Sequence, residues 1–310
     1  MRSGFVTIIG RPNAGKSTLL NALVGAKLAI VTHKPQTTRN RVQGILNLPA
    51  KKGRPAAQVI LIDTPGVHRP DTRLNQKMMQ EVREALEGSD LILLITDASQ
   101  KFGPGEQFVI DMVEKTKTPA FLLLNKVDLV EKPKLLPIIE RWRQLQDFKE
   151  IVPISALKKD GLDELLDLIV HNLPDGPEYF PKKQVTDQPE RFLAAEIIRE
   201  QVLLETEQEI PYASTVLIEQ WEEEPKLTRI AAVIYCEREG QKGILIGKGG
   251  QMLKKIGTAA RKGIEDMLKK KVFLELFVKV QPGWRESRGF VEGLDWRKQL
   301  EQLVRPEPER

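Results

Sequence analysis

The segment Gly10–Ser17 constrains the fold most, because its residues fit the pattern G-x-x-x-x-G-K-[ST]. Glycines at the two fixed positions allow the backbone to wrap a phosphate group with its N–H groups pointing inward. A short apolar run, Phe5–Ile9, precedes the segment, and a helical pattern, Lys16–Val24, follows it. This order predicts a phosphate-binding loop between a buried strand and the N-terminus of a helix. The residues expected to contact a bound nucleotide here are Gly10, Arg11, Pro12, Asn13, Ala14, Gly15, Lys16, Ser17 and Thr18.

From residue 5 to about residue 172, short apolar runs alternate with longer amphipathic ones. The apolar runs are nearly continuous, which is typical of strands buried on both faces of a parallel sheet. Strand–helix alternation predicts right-handed βαβ units and a doubly wound α/β sheet. The predicted strands are Phe5–Ile9, Val59–Ile62, Leu91–Thr96, Ala120–Leu124 and Ile151–Ile154, with Val42–Leu48 as a candidate edge strand. The predicted helices are Lys16–Val24, Leu74–Glu87, Gly105–Lys115, Lys134–Gln146 and Leu162–Asn172.

The segment Leu173–Pro181 has three prolines and a glycine, which indicates a domain boundary. We predict a first domain at residues 1–176, a linker at 177–189, an α+β domain at 190–285 and a helical C-terminal tail at 286–310. The second domain is expected to contain a helix, two strands, a glycine-rich turn with a basic helix, and a last strand. Their predicted ranges are Glu190–Glu205, Ser214–Trp221, Arg229–Cys236, Lys248–Leu268 and Val272–Val280.

The composition excludes several classes of protein. The 310 residues include one cysteine, Cys236, so the chain cannot form an internal disulfide framework, and a reducing cytoplasmic location is expected. The first apolar run is too short for a signal peptide, and no stretch approaches the ~18 apolar residues of a membrane-spanning helix. The net charge of +5 says little about partners when it is spread over the whole chain.

The tetrapeptide Asn125–Asp128 follows the predicted strand Ala120–Leu124 and indicates which base is bound. The Asp128 carboxylate can accept hydrogen bonds from N1–H and the N2 amine of guanine, and adenine lacks this pair of donors. Sites built on such pairing discriminate by roughly 10⁴-fold or more. The expected ligands are therefore GTP and GDP. Other contacts to the base are expected from Asn125, Lys126, Ser155, Ala156 and Leu157.

A magnesium site is predicted from three separate segments. Asp63 follows the strand Val59–Ile62 and is expected to hold Mg²⁺, together with the Ser17 hydroxyl of the phosphate-binding loop. Thr38 is our choice for the third ligand from the loop that precedes Val42, although without the other motifs Thr37 and Thr38 would be taken as ordinary polar loop residues. The remaining nucleotide contacts predicted after Asp63 are Thr64, Pro65 and Gly66.

Two residues suggest how hydrolysis proceeds. Val67 follows Gly66, where Ras-like switches carry a glutamine that orients water, so slow intrinsic hydrolysis is expected. Asn13 lies inside the phosphate-binding loop, and in related switches an asparagine there coordinates a potassium ion that replaces an arginine finger. Lys16 and Asn13 are therefore the predicted catalytic residues, with K⁺ as a hypothetical cofactor beside Mg²⁺.

The segment Gly247–Gly250 has the Gly-x-x-Gly spacing that lets a nucleic-acid backbone approach closely. Residues 242–271 carry nine lysines and arginines against two acids, a local charge of +7. Alone, this charge is equally consistent with a solvated helix face. A type II KH domain has the same order of elements: a helix, two strands, a helix pair around the glycines and a last strand. Single-stranded RNA is therefore the predicted ligand.

Together these motifs resemble the bacterial Era GTPases of the TrmE–Era-like group. The resemblance covers roughly residues 4–285 and includes GRPNAGKSTLLNALVG, QTTRNRVQGI, DTPGVH, NKVD, ISAL, GILIGKGGQMLKKIG and VKVQPGW. It implies a P-loop GTPase domain and a type II KH domain that binds the 3′ end of 16S rRNA. It also implies a role in 30S subunit assembly and rRNA maturation, partly peripheral association with the inner face of the cell membrane, and GTP as the only small-molecule substrate.

The RNA contacts implied by the resemblance and by the basic helix lie in the second domain. Trp284 is expected either to stack on a base or to anchor the tail by hydrophobic packing. The full predicted set is Lys242, Ile246, Gly247, Lys248, Gly249, Gly250, Lys254, Lys255, Arg261, Trp284 and Arg285. Two alternative functions stay open: a related GTPase that acts on another RNA, and an RNA-binding scaffold with weak nucleotide turnover.

Overall fold

The computed structural model of the chain describes residues 1–68 and 70–299. It divides into two compact units, Met1–Arg69 with Met78–Asp187 and Pro70–Lys77 with Gln188–Arg310. No helix in the described part of the chain is long and apolar enough to cross a membrane.

The first unit is built on a six-stranded sheet with the order β2-β3-β1-β4-β5-β6. β2 pairs antiparallel with β3 at one edge, and the other strands are parallel. The strands are β1 (Arg2–Ile9), β2 (Val42–Leu48), β3 (Ala57–Asp63), β4 (Leu91–Asp97), β5 (Ala120–Asn125) and β6 (Glu150–Pro153). The helices are α1 (Lys16–Val24), α2 (Arg73–Glu87, of which 73–77 belong to the second unit), α3 (Pro104–Glu114), α4 (Lys132–Arg143) and α5 (Leu162–Asn172).

Both faces of this sheet are buried, which explains the continuous apolar runs. Along β4, alternate residues enter two separate cores: Leu91 and Leu93 pack in one, and Ile92 and Leu94 in the other. Helices α1 and α5 supply the first core, and α2, α3 and α4 supply the second. The predicted doubly wound α/β sheet is confirmed, with Val42–Leu48 as its edge strand. The loops that carry the nucleotide motifs follow the carboxyl ends of β1, β3, β5 and β6.

The segment predicted as a linker, 177–189, lies along this sheet for much of its length. The Gln58 side chain accepts hydrogen bonds from the backbone N–H groups of Tyr179 and Phe180, at 2.7 and 3.0 Å. Further along, Ile45 of β2 donates its backbone N–H to the Val185 carbonyl at 2.9 Å. Edge strands otherwise present unpaired backbone groups, so this segment covers part of the exposed edge of β2. The domain boundaries themselves stay predictions.

The second unit has a three-stranded sheet, β7-β8-β9, in which β7 and β8 are antiparallel and β8 and β9 parallel. Its strands are β7 (Thr215–Glu223), β8 (Leu227–Cys236) and β9 (Lys271–Val280). Its helices are α6 (Glu190–Glu205), α7 (Ile210–Ala213), α8 (Glu239–Ile246), α9 (Gln251–Leu268) and α10 (Arg288–Gly293). Apolar side chains of α6, α8 and α9 form one core with the inner face of the sheet.

This element order confirms the predicted type II KH fold. The short helix α7 was not predicted, because its sequence, Ile-Pro-Tyr-Ala, is too brief to show a helical period. The predicted tail, 286–310, is helical at Arg288–Gly293 and at 296–299, and the part from Leu300 on lies outside the described residues.

Candidate functional site

The phosphate-binding loop is held in shape by its two glycines. Gly15 has φ +103° at the start of α1, and a Cβ there would lie 2.2 Å from the Asn125 amide nitrogen. A Cβ on Gly10 would lie 2.3 Å from the carbonyl oxygen of Ile95. Both positions therefore exclude any larger residue, since backbone and a structural side chain occupy the space.

Lys16 is buried behind this loop. Its Nζ donates to the carbonyls of Gly10 and Arg11, at 3.2 and 2.9 Å. Burial lowers the pKa of Lys16 to about 8, against the opposing effect of Asp63. A phosphate near Nζ would restore the charged form, so Lys16 is placed to bind an anion.

The three predicted magnesium ligands come together. Ser17 Oγ donates to Asp63 Oδ2 at 2.6 Å and lies 2.9 Å from Thr38 Oγ1, which in turn lies 3.3 Å from Asp63 Oδ2. The second carboxylate oxygen, Oδ1, is buried and has no hydrogen-bond partner among the described residues. Burial raises the pKa of Asp63 to about 6, despite hydrogen bonds and the charge of Lys16. Two hydroxyls and a carboxylate with an unsatisfied oxygen are the hard donors that Mg²⁺ prefers, so the residues fit the ion.

Asn13 lies at the mouth of the site with φ +64°. Its Nδ2 donates to the carbonyl oxygen of His33 at 2.8 Å. This contact brings a side-chain amide of the phosphate-binding loop next to a backbone carbonyl of the loop before Thr38.

The residues that follow β3 are fixed against the same loop. Thr64 Oγ1 donates to the Ile8 carbonyl at 2.8 Å, so its side chain supports the sheet. A Cβ on Gly66 would lie 2.8 Å from the Pro12 ring, which shows how closely the two loops pack. Val67 donates its backbone N–H to the Gly10 carbonyl at 3.1 Å, and its side chain is buried in the core. Its isopropyl group therefore offers no contact to a water at the phosphate.

Asn125 connects the base-binding segments to the phosphate-binding loop. Its Nδ2 donates to the Ala14 carbonyl at 2.8 Å, and its Oδ1 accepts from the Ala156 N–H at 2.9 Å. One buried amide thus joins three segments, so its role is to position them.

Lys126 and Asp128 frame the base-binding end. Lys126 Nζ pairs with Asp97 Oδ2 at 2.7 Å. Burial alone would raise the pKa of Asp97, but hydrogen bonds from Lys126 and Ser99 outweigh it, and the pKa is lowered. Asp128 is exposed in the short helical turn after β5, where its carboxylate can accept hydrogen bonds from a ligand.

A cavity of about 480 Å³ joins these segments. Its lining includes Gly15, Lys16, Ser17, Thr18, Thr38, Gly66, Lys126 and Leu157, with Pro12 and Asn13. Residues 30–34, 36 and 37 also line it, and none of them is in the predicted set of contact residues. Their one signal is position, because they belong to the polar loop between α1 and the predicted ligand Thr38. The other predicted nucleotide contacts do not line this cavity: Gly10, Arg11, Ala14, Asp63, Thr64, Pro65, Asn125, Asp128, Ser155 and Ala156.

In the second unit, the glycine turn joins α8 to α9. Gly247, Gly249 and Gly250 all have positive φ, at +72°, +58° and +79°. A Cβ on Gly247 would lie 2.7 Å from the Met252 Cβ, whereas Gly249 and Gly250 face open space. The turn therefore needs glycine at its first position for packing, and its later positions leave room for an approaching backbone.

A groove of about 440 Å³ runs from this turn between α9 and β9. Gly250, Lys254 and Arg261 line it, as predicted, and both charged side chains are exposed. Residues missed by the sequence reasoning complete the lining: Leu253, Gly257, Thr258, Val272, Phe273, Leu274 and Leu276. The missed residues on α9 follow Gly250 at spacings of three, seven and eight residues, so the helical period could have identified them.

Other predicted RNA contacts lie outside the groove. Lys255 pairs with Glu205 of α6, and Lys242 lies 4.0 Å from Glu239. Arg285 forms a two-pronged ion pair with Glu237, at 3.1 and 2.7 Å. Ile246 is the last residue of α8, and Gly247, Lys248 and Gly249 belong to the turn itself; none of the four lines the groove.

Trp284 requires a correction. Its side chain is fully buried, and its Nε1 donates to the Ala213 carbonyl at 2.8 Å. A buried ring cannot stack on a base, so the structure supports the hydrophobic anchoring role and excludes the stacking role.

Comparisons with known proteins find matches for both units. The family described as "50S ribosome-binding GTPase" matches residues 5–126, and the KH domain family matches residues 209–285. GTPase Era of Ruminiclostridium cellulolyticum is 48% identical over 96% of this chain and 98% of its own length. GTPase Era of Geobacter metallireducens is 50% identical over 95% of this chain and 98% of its own length.

A solved structure is similar over both units. The crystal structure of Era in complex with MgGDPNP and nucleotides 1506–1542 of 16S ribosomal RNA has a TM-score of 0.91 at 39% identity, and covers 96% of this chain and 99% of that one. The fold and the nucleotide site thus define a P-loop GTPase that carries a KH domain. The chain belongs to the Era family of GTPases.

Proposed function

We propose that this GTPase is a switch that binds the 3′ region of 16S rRNA through its KH domain and acts in 30S subunit assembly and rRNA maturation. The observation that carries the proposal is the presence of two complete sites in one chain. A preformed Ser17–Thr38–Asp63 cluster accompanies a glycine-turn groove with an apolar floor and exposed cations. The solved Era complex with a 16S rRNA fragment supports the choice of RNA.

Nucleotide turnover is carried out by positioning and electrostatics. Bound Mg²⁺ supplies charge that offsets the charge on the phosphates, and Ser17, Thr38 and Asp63 would hold it. Lys16 adds a buried positive charge at the phosphates, and the loop amides bind their oxygens. The buried Val67 gives no group that orients water, so we propose slow intrinsic hydrolysis that RNA or the ribosome stimulates.

We further propose that a potassium ion assists hydrolysis at Asn13. The support is the place of Asn13 at the mouth of the site: its Nδ2 donates to the His33 carbonyl, and its side-chain oxygen is a ligand of the kind that such an ion takes. Replacing K⁺ with Na⁺ should lower the GTPase rate of the parent protein, whereas the Asn13→Ala variant should be slow and insensitive to the change. Equal rates of the parent protein in the two salts would contradict the proposal.

The target RNA is tested by crosslinking the protein to RNA in cells and sequencing the bound fragments. Enrichment of the 16S rRNA 3′ end supports the proposal, and purified 30S subunits should then accelerate GTP hydrolysis. Enrichment of another RNA would establish the first alternative, a related GTPase with a different target. Because the matching family is described as binding the 50S ribosome, 23S rRNA is the RNA whose enrichment should be compared with that of 16S rRNA. Binding to rRNA with no effect on turnover would favour the second alternative, a scaffold with weak turnover.

We propose a cytoplasmic location, in keeping with the ribosomal target. Peripheral association with the inner face of the membrane rests on the family resemblance alone. Fractionation with and without ribonuclease separates a direct membrane contact from one that ribosomes mediate.

A further inference from the structure

Glu106 lies in the first turn of α3, outside every nucleotide-binding motif, yet its side chain is only 8% exposed. Burying a carboxylate is costly unless it is paired and hydrogen-bonded. Both of its oxygens are used: Oε1 accepts from Arg11 Nη1 at 2.8 Å, and Oε2 accepts from the Gly103 N–H at 3.0 Å. The partner, Arg11, is the second residue of the phosphate-binding loop, 95 positions away in the sequence.

Gly105 allows this ion pair to form. A Cβ at that position would lie 2.5 Å from Arg11 Nε and 2.8 Å from its Cζ, so the guanidinium lies directly on the backbone of α3. A cation beside a helix N-terminus is electrostatically unfavourable. The Glu106 carboxylate offsets that repulsion, which explains why a buried acid stands at this position.

The backbone of Arg11 sets the first turn of the phosphate-binding loop. Its carbonyl accepts from Lys16 Nζ at 2.9 Å and from the Ala14 N–H at 3.4 Å. Next to it, Pro12 packs against Gly66 of the loop after β3. Holding the Arg11 side chain therefore restrains the peptide groups from which the loop begins to wrap the phosphate.

We propose that Glu106 is a positioning residue for nucleotide binding, which holds Arg11 against α3 and so keeps the phosphate-binding loop in its binding conformation. A loop already ordered loses less conformational entropy on binding, and the gain appears as slower release of the ligand. The loop wraps phosphates that GDP and GTP share, so both nucleotides should be affected equally. The proposal rests on the GTPase activity of the family and is independent of the RNA target.

The test is the Glu106→Gln variant, measured by the dissociation rate of a fluorescent GDP. Glutamine keeps the size and the acceptor for Gly103 but removes the charge that pairs with Arg11. We expect GDP and GTP to dissociate about ten-fold faster, with KM raised and kcat changed by less than about two-fold. Glu114→Gln is the matched control, because Glu114 lies exposed at the other end of the same helix.

Two further measurements separate positioning from a general loss of stability. A purely structural role would lower the melting temperature of Glu106→Gln while leaving the dissociation rate of the folded protein at the parent value, and that result would overturn the proposal. In a double-mutant cycle, Glu106→Gln added to Arg11→Ala should change the rate no further, because its partner is gone. Additive effects of the two substitutions would also overturn it.

Discussion

The nucleotide site and the KH groove are built in opposite ways. In the first, several buried side chains join distant parts of the sequence, and exposed residues such as Asp128 complete the site; Asn125 alone binds Ala14 on one side and Ala156 on the other. In the second, one helix and one strand supply an apolar floor, and the charged side chains of Lys254 and Arg261 are exposed at its rim.

This difference has an energetic consequence. A buried group with several partners leaves the others unsatisfied when it is removed, so a single substitution in the nucleotide site has a large effect. An exposed cation contributes a screened attraction to a phosphate, so contacts in the groove are individually small and nearly additive. Substitutions in the two sites can therefore break or sharpen this comparison.

The largest effect is expected for Asp128→Asn. The amide no longer accepts both guanine hydrogen bonds, so GTP affinity should fall by roughly 10⁴-fold. The same amide can accept from N1–H of xanthine and donate to its O2, so xanthosine triphosphate should bind in place of GTP. Competition binding with both nucleotides measures the exchange. The control is Asp147→Asn, which removes an exposed carboxylate elsewhere in the unit and should change the affinity for neither nucleotide. Undiminished GTP binding by Asp128→Asn would contradict the selection of guanine by Asp128.

Lys16→Ala should lower the single-turnover rate of GTP hydrolysis by about 10²–10³-fold, because a buried charge at the phosphates is lost. RNA affinity, measured by fluorescence anisotropy, should stay within two-fold of the parent value. Lys115→Ala, at the exposed end of α3, is the control for loss of one positive charge. A fall in RNA affinity as large as the fall in the hydrolysis rate would show that the nucleotide site and the RNA groove are not independent of each other.

A smaller effect is expected in the groove. The double substitution Lys254→Ala and Arg261→Ala should weaken binding of single-stranded RNA roughly ten-fold at moderate salt and reduce the slope of log K against log[salt] by about 1.4. Lys255→Ala removes the same charge one residue further along α9, but that side chain pairs with Glu205. Its effect on the slope should be smaller than the ~0.7 expected for one lost phosphate contact, and a full effect of ~0.7 would mean that the groove does not define the RNA path.

Much of this architecture could be predicted from the sequence. Strands such as β3, in which every residue is buried, contain an unbroken apolar run, here Val59–Ile62. The motif spacing placed Ser17, Asp63 and Thr38 in one cluster. These features are local, or they meet because parallel strands end at one edge of a sheet.

What could not be predicted depends on contacts between distant residues. Nothing local marks Glu106 as the partner of Arg11, since an acid in the first turn of a helix is ordinary helix chemistry. Trp284 follows a glycine at the end of a strand, and only the packing of the KH unit shows that its ring is buried. Pairing and burial of such residues are properties of the folded chain and have no period or motif.

Proton exchange on nucleotide binding is expected to be modest and to change sign with pH. Burial raises the pKa of Asp63 to about 6, and ligation of Mg²⁺ requires its charged form, so binding below pH 6 should release a proton. Burial lowers the pKa of Lys16 to about 8, and phosphate favours its charged form, so binding above pH 8 should take up a proton. Affinity for Mg²⁺-GDP should thus be greatest between pH 6 and pH 8. It should fall roughly four-fold at half a pH unit below the pKa of Asp63 or above the pKa of Lys16.

Calorimetry in two buffers of different ionisation enthalpy measures this exchange. A metal chelator should abolish the fall in affinity below pH 6 and leave the fall above pH 8 unchanged. His33→Asn is the necessary control, because the His33 side chain lines the same cavity. If the fall in affinity below pH 6 disappears in that variant, the assignment of the proton to Asp63 fails.

The smallest effect on ligand binding is expected for Trp284→Phe, which tests the corrected role of this residue. The variant loses the indole donor to the Ala213 carbonyl and leaves a buried acceptor unsatisfied, so the free energy of unfolding should fall by about 1–3 kcal/mol. RNA affinity should not change, because the ring is fully buried in the KH unit. Denaturant unfolding and anisotropy on the same preparation measure both quantities.

The control is Trp221→Phe, at a half-buried tryptophan whose indole donates to Glu223, and it should lower the free energy of unfolding by less. Weaker RNA binding by Trp284→Phe at unchanged stability would restore the stacking role.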